Sequence, residues 1–124
     1  MRMKRSRINT YFFRKAITVK DDEGCTSTDY GKPIVFQGEC WPAGGKVQAE
    51  MHGNRLSYIR NVKVDGRYNV ATDEKGMSHY IFENGMDVIE NDGVCLYVSK
   101  DMMPDYKIIS IKPYQPLVLE VERI

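Results

Sequence analysis

His79-Tyr80-Ile81-Phe82-Glu83, Asn84-Gly85 and Met86-Asp87-Val88-Ile89 follow one another as two short runs rich in β-branched and aromatic residues around a turn dipeptide. Asn-Gly accepts the positive φ of a type I′ turn, whose twist matches that of paired strands, so these eleven positions predict a β-hairpin. Asp92-Gly93, ahead of Val94-Cys95-Leu96-Tyr97-Val98, gives a second signal of the same kind. A chain that keeps turning back on itself buries side chains between strands. It does not build the pockets that helices and long loops give an enzyme.

The pattern continues on both sides. Residues 56–64 read as a strand leading into Asp65-Gly66, and 68–72 as its return. A two-residue loop would set Val64 opposite Arg67. A three-residue loop would set Val64 opposite Tyr68 and Val62 opposite Val70; burial favours it, but the glycine position leaves both open. Asp73-Glu74-Lys75-Gly76 and Met102-Met103-Pro104-Asp105 are further turns. Residues 106–112 and 117–122 form a last hairpin across Pro113-Tyr114-Gln115-Pro116. There Leu117, Leu119 and Val121 alternate with Val118, Glu120 and Glu122, and Ile109 and Ile111 with Ser110 and Lys112. Period two with acids outward predicts one buried and one wet face.

Upstream, 10–20 reads as one strand, 21–33 as a long turn or mobile loop, and 34–41 as a strand ended by Pro42 and Gly44-Gly45. Lys46–His52 carries Val47 and Met51 four apart among helix formers and predicts a short helix, stopped by Gly53-Asn54. Many short antiparallel strands must close or stack to hide their edges. The expected fold is therefore all-β: a small antiparallel β-barrel or sandwich with long loops and at most one short helix.

The 124 residues predict a single domain over 1–124, large enough to bury a core without disulfides or metal. With 42% apolar and 28% charged residues, wholesale disorder is not expected. A net charge of +1 gives no global field for nucleic acid. The charge is uneven, however. Arg2, Lys4, Arg5 and Arg7 make residues 1–9 a basic arm, Arg14 and Lys15 follow, and Asp21-Asp22-Glu23 then come together. Such an arm suits phosphate or an acidic protein face. Cys25, Cys40 and Cys95 are odd in number and widely spaced, which predicts reduced thiols, with Cys40 and Cys95 packed as small apolar groups. No apolar run has membrane-spanning length, and the basic start lacks the apolar region of a signal peptide.

Motifs for chemistry are sparse. His52 and His79 have no Cys or His at metal-ligand spacing, and no Cys-x-x-Cys, phosphate loop or nucleophile elbow occurs. A spatial pair such as Cys95 with His79 has no third group to orient it. Asp21-Asp22 and Glu90 with Asp92 lie in turn-rich segments, where acids are solvated. No cofactor or metal is expected. Tyr58 and Tyr68, near Arg55, Arg60, Lys63 and Arg67, keep a single-stranded nucleic-acid face in view, although half-buried sheet tyrosines explain them as well. Trp41, the lone tryptophan, is expected as a core anchor.

Several stretches resemble one family over nearly the full length. They are a basic N-terminal strand, Asp21-Asp22-Glu23-Gly24, Trp41-Pro42-Ala43-Gly44-Gly45-Lys46, Val47-Gln48-Ala49-Glu50-Met51, and a C-terminal pair from Asp105 to Tyr114 and Leu117 to Val121. In this order the chain resembles the head–tail joining (head-closure, or stopper) proteins of long-tailed bacteriophages and prophages. The resemblance implies a small β-barrel without enzymatic activity, assembled as a ring at the neck of the virion after synthesis in the host cytoplasm. Its implied partners are other copies of itself, portal or adaptor and tail proteins, and packaged DNA by non-specific contact, with no membrane. The residues expected to carry partner contacts are Arg2, Lys4, Arg5, Arg7, Asp21, Asp22, Glu23, Asp29, Tyr30 and Lys32. A tail-terminator or tail-completion protein, and a nucleic-acid-binding β-barrel, are the alternatives.

Overall fold

A computed structural model of the protein describes residues 8–124; Arg2, Lys4, Arg5 and Arg7 lie outside the described residues. Six strands close an antiparallel barrel in the order β1-β4-β5-β11-β10-β9. They are β1 (Asn9–Arg14), β4 (Ile34–Pro42), β5 (Ile59–Val64), β9 (Gly93–Cys95), β10 (Tyr106–Lys112) and β11 (Leu117–Arg123). Two small sheets stand beside it: β2 (Ala16–Lys20) with β3 (Thr26–Tyr30), and β6 (Tyr68–Thr72) with β7 (Ser78–Phe82) and β8 (Asp87–Val88). The expected all-β class holds, with α1 (Lys46–His52) as the short helix, continued by a 3₁₀ segment over Gly53–Tyr58.

Period-two alternation builds the barrel interior. Tyr11, Phe13, Phe36, Val62, Val64, Val94, Ile108, Leu117, Leu119 and Val121 are buried in one cluster, which continues through Phe82, Met86 and Val88 into the three-stranded sheet. The last hairpin forms as expected, with Leu119 opposite Ile111, but a bulge falls between Ile108 and Ser110. Ile108, rather than Ile109, is therefore fully buried.

Other expectations are corrected. The single strand over 10–20 is divided at Lys15: β1 stays in the barrel and β2 leaves it. The long loop over 21–33 is a tight turn followed by β3. Residues 56–58 are 3₁₀, not strand. Neither register for 56–64 with 68–72 occurs, because β5 pairs with β4 and β11 while β6 pairs with β7. Asp92-Gly93 is no hairpin turn either, since β9 pairs with β1 and β10. For β5 and β9 a long-range partner, β11 and β1 respectively, takes the place of the expected hairpin neighbour.

The hairpin over Asn84-Gly85 forms, but not with a type I′ turn. Gly85 has φ 97°, whereas Asn84 is not at positive φ. Gly85 N–H donates to the Phe82 carbonyl (3.1 Å) and Phe82 N–H to the Met86 carbonyl (2.9 Å). This is a three-residue loop closed by a left-handed glycine.

Two side chains depart from their expected places. Trp41 is half-buried on the barrel wall, with the Lys63 ammonium 5.4 Å from its ring centroid, and does not belong to the core. Glu120 faces outward yet is only 1% exposed, because α1 covers it. His52 Nε2 lies 2.7 Å from Glu120 Oε2, and Gln48 Nε2 donates to the same oxygen and to Asn61 Oδ1. Burial works against the charge, but the His52 and Gln48 hydrogen bonds and the Lys112 ammonium outweigh it and hold the carboxyl below its ordinary range.

Candidate partner-binding hairpin

The β2–β3 ribbon brings most of the described partner-contact candidates together. Its turn repeats the geometry of the Gly85 loop. Asp21 N–H donates to the Cys25 carbonyl (2.9 Å), Gly24 N–H to the Asp21 carbonyl (3.1 Å), and Gly24 has φ 82°. The Asp21 carboxylate accepts the Glu23 and Cys25 amides at 3.0 and 2.8 Å. Asp21 is thus consumed in building the turn, while Asp22 and Glu23 sit exposed at its apex.

The register places Ile17 opposite Asp29 and Val19 opposite Ser27, so these four share one face. Ile17 is 47% and Val19 41% exposed. The other face, with Ala16, Thr18, Thr28 and Tyr30, looks back across a groove of about 490 Å³ toward Asn91, Lys107 and Ile124. The apolar pair therefore points away from the barrel.

A two-stranded ribbon is marginal alone in water, so its root matters. Arg14 donates to three carbonyls: Gly31 through Nε (2.7 Å), Met102 through Nη1 (2.8 Å) and Tyr30 through Nη2 (3.1 Å). Lys15 Nζ reaches Asp92 Oδ2 (3.0 Å) and the Asp87 carbonyl (2.9 Å). Asp92, fully buried, also accepts the Ala16 and Ile89 amides at 3.0 Å each. Burial raises its carboxyl above the ordinary range, against the pull of those donors. Tyr30 packs so close to Gly93 that a Cβ there would lie 2.9 Å from its ring.

The candidates therefore divide by position. Asp22 and Glu23 are at the tip, Asp29 is on the outward face and Lys32 is exposed beyond β3. Tyr30 belongs to the root. Sequence reasoning missed Arg14, Lys15, Asp92 and Gly93 as the anchor. Only the spacing of 76 residues between Ala16 and Asp92, closed by the fold, shows their role, and no local signal carries it.

The thiols follow their surroundings. Cys25 is exposed beside the tip, Cys40 is half-buried and Cys95 is buried; all are free. Burial raises the Cys95 thiol, with Asp105 adding to the shift. Among the described residues no group of three or more His, Cys, Asp and Glu is placed to hold a metal ion, and no helix is long and apolar enough to cross a membrane. Compared with known protein families, characterised proteins and solved structures, the chain finds no match.

Proposed function

We propose that the protein is a non-enzymatic structural subunit of a bacteriophage neck, joining the DNA-filled head to the tail as one member of an oligomeric ring. The supporting observation is the β2–β3 ribbon. A rigid barrel carries a narrow arm, clamped at its root by Arg14, Lys15 and Asp92, whose outer face leaves Ile17 and Val19 uncovered. A closed ring needs heterologous contacts, in which one surface of a subunit grips a different surface of the next. An arm that holds its shape without a partner suits that task, because little ordering entropy is lost on contact. The resemblance of the sequence to head-closure proteins supplies the place, the virion neck after assembly in the host cytoplasm, and portal or adaptor and tail proteins as further partners.

The test is a variant in which residues 18–28 are replaced by a short Gly-Ser turn, introduced into a phage or prophage lacking the native copy. The expected outcome is a folded barrel with filled heads and complete tails that stay unjoined. A normal yield of joined particles overturns the proposal. Defective tails would assign the protein to tail completion instead.

A further inference from the structure

One end of the barrel is bordered by the starts of β1, β5 and β10 and the ends of β4, β9 and β11. The register sets Arg60 between Pro42 and Val121, and Tyr106 between Val94 and Arg123. Arg60 shares its face of β5 with the buried Val62 and Val64, so its side chain points along the barrel interior at this end. Its Nε donates to Cys40 Sγ at 3.1 Å, and its guanidinium carbon lies 5.5 Å from the Tyr97 ring centroid. Tyr106 stands edge-on to Tyr97 with centroids 6.2 Å apart. Burial raises the phenols of Tyr97 and Tyr106, and Cys40, hydrogen-bonded to the Tyr97 hydroxyl, adds to the Tyr97 shift.

What this site lacks is an acid. Lys15 is paired with Asp92, Arg55 with Glu122 and Lys112 with Glu120. Among the described residues no carboxylate is paired with Arg60. A guanidinium partly withdrawn from water and held over an aromatic ring is a strong receptor for a carboxylate.

The matching acids are on the ribbon. Asp22 and Glu23 are exposed at the apex of a three-residue turn, and among the described residues neither is paired with a cation. They are not among the groups that face Arg60 within the same chain. We propose that the Arg60 end of the barrel is the receptor for the hairpin tip of a second copy, with Asp22 and Glu23 seated against the Arg60 guanidinium beside the Tyr97 ring. The contact is head-to-tail, as ring closure requires, and rests on the ring reading above.

The experiment uses the full chain. Sedimentation velocity over a concentration series, at low and high salt, measures self-association. The exposed pair Asp22→Lys, Glu23→Lys leaves Asp21 and Gly24 to build the turn and is expected to weaken association about tenfold, as is Arg60→Gln. Salt is expected to weaken the parent protein in the same direction. In parallel, Pro42→Cys, exposed and opposite Arg60 in the register, is oxidised in an equal mixture of isotopically heavy and light chains; a disulfide between position 42 of one copy and Cys25 of another is expected, lost with Cys25→Ser. Association that persists in the Asp22→Lys, Glu23→Lys variant, or that yields disulfides elsewhere, overturns the Arg60 end as receptor and leaves the ring reading standing. A monomer at every concentration with no such disulfide overturns both.

Discussion

His79 shows how one residue ties a sheet together. Its Nδ1 lies 2.7 Å from Asp87 Oδ1 and its Nε2 lies 2.9 Å from Asp73 Oδ2. A neutral imidazole donates through one nitrogen only, so two carboxylates call for the charged ring. The hydrogen bonds to Asp73 and Asp87 raise the His79 pKa above its ordinary 6.5. The same bond to His79, with the Met77 amide, lowers Asp73. A histidine raised in the folded state stabilises fully below its unfolded pKa and loses that contribution as pH rises through the folded value. We therefore expect amide protection in β6–β8 to fall as pH is raised from 6.5 through the His79 transition, and the dependence to flatten in His79→Gln. Hydrogen exchange with a proton NMR titration measures both; a His79 titrating at or below 6.5 would refute the bridge. His79 opens the first run of the hairpin read from the sequence, and in the fold it is a half-buried residue of β7. Its acids could not be assigned, because Asp87 reaches it only through strand pairing.

The tight turns carry most of what was legible among the elements. Asp21-Asp22-Glu23-Gly24-Cys25 and Asp73-Glu74-Lys75-Gly76-Met77 fold alike. An aspartate accepts the amides two and four residues on, and the glycine sits at φ 82° or 81°. Phe82 to Met86 shares the loop with Asn84 in the supporting role. Asp-x-x-Gly was thus a stronger signal than Asp-Gly or Asn-Gly alone, since it supplies both the amide acceptor and the left-handed residue. Gly76→Ala meets nothing within 4 Å and pays only for its backbone angle, about 1 kcal/mol. Gly38→Ala has an ordinary φ, but its Cβ would lie 2.5 Å from the Lys63 backbone oxygen, and we expect about 3 kcal/mol. Chemical denaturation of the two variants checks the order, and a reversal would mean that β4 and β5 yield more easily than their register suggests. Strands were legible by alternation wherever one face is wet. Where α1 covers the outer wall, alternation misplaced Glu120, and where the chain bulges it misplaced Ile109.

Across the whole molecule the barrel closes at a short seam. β9 joins β1 through Phe12–Cys95, Phe13–Val94 and Arg14–Gly93, and joins β10 through Tyr106–Val94 and Lys107–Gly93. Gly93 sits in both pairings and under the hairpin root, where a Cβ would fall 2.5 Å from Pro104 Cγ and 2.9 Å from Tyr30. Gly93→Ala is expected to lower stability by about 2–3 kcal/mol and to speed amide exchange in β9 before the rest of the barrel. An unchanged denaturation midpoint would show that the root and the seam are independent. The same geometry explains why the ribbon keeps its shape outside the barrel: its anchor and the closing strand share one residue. Local residue order determined that this chain would be a set of short antiparallel strands with glycine turns and one helical turn at Lys46–His52, because φ preference, capping and alternation act over a few residues. Tertiary structure alone decided which strands pair beyond the β7–β8 and β10–β11 hairpins, that Asp92 is an anchor and that Arg60 stands at a barrel end without an acid among the described residues. Those outcomes depend on closing the sheet into a barrel, which brings together residues dozens of positions apart and leaves no trace in any short window of sequence.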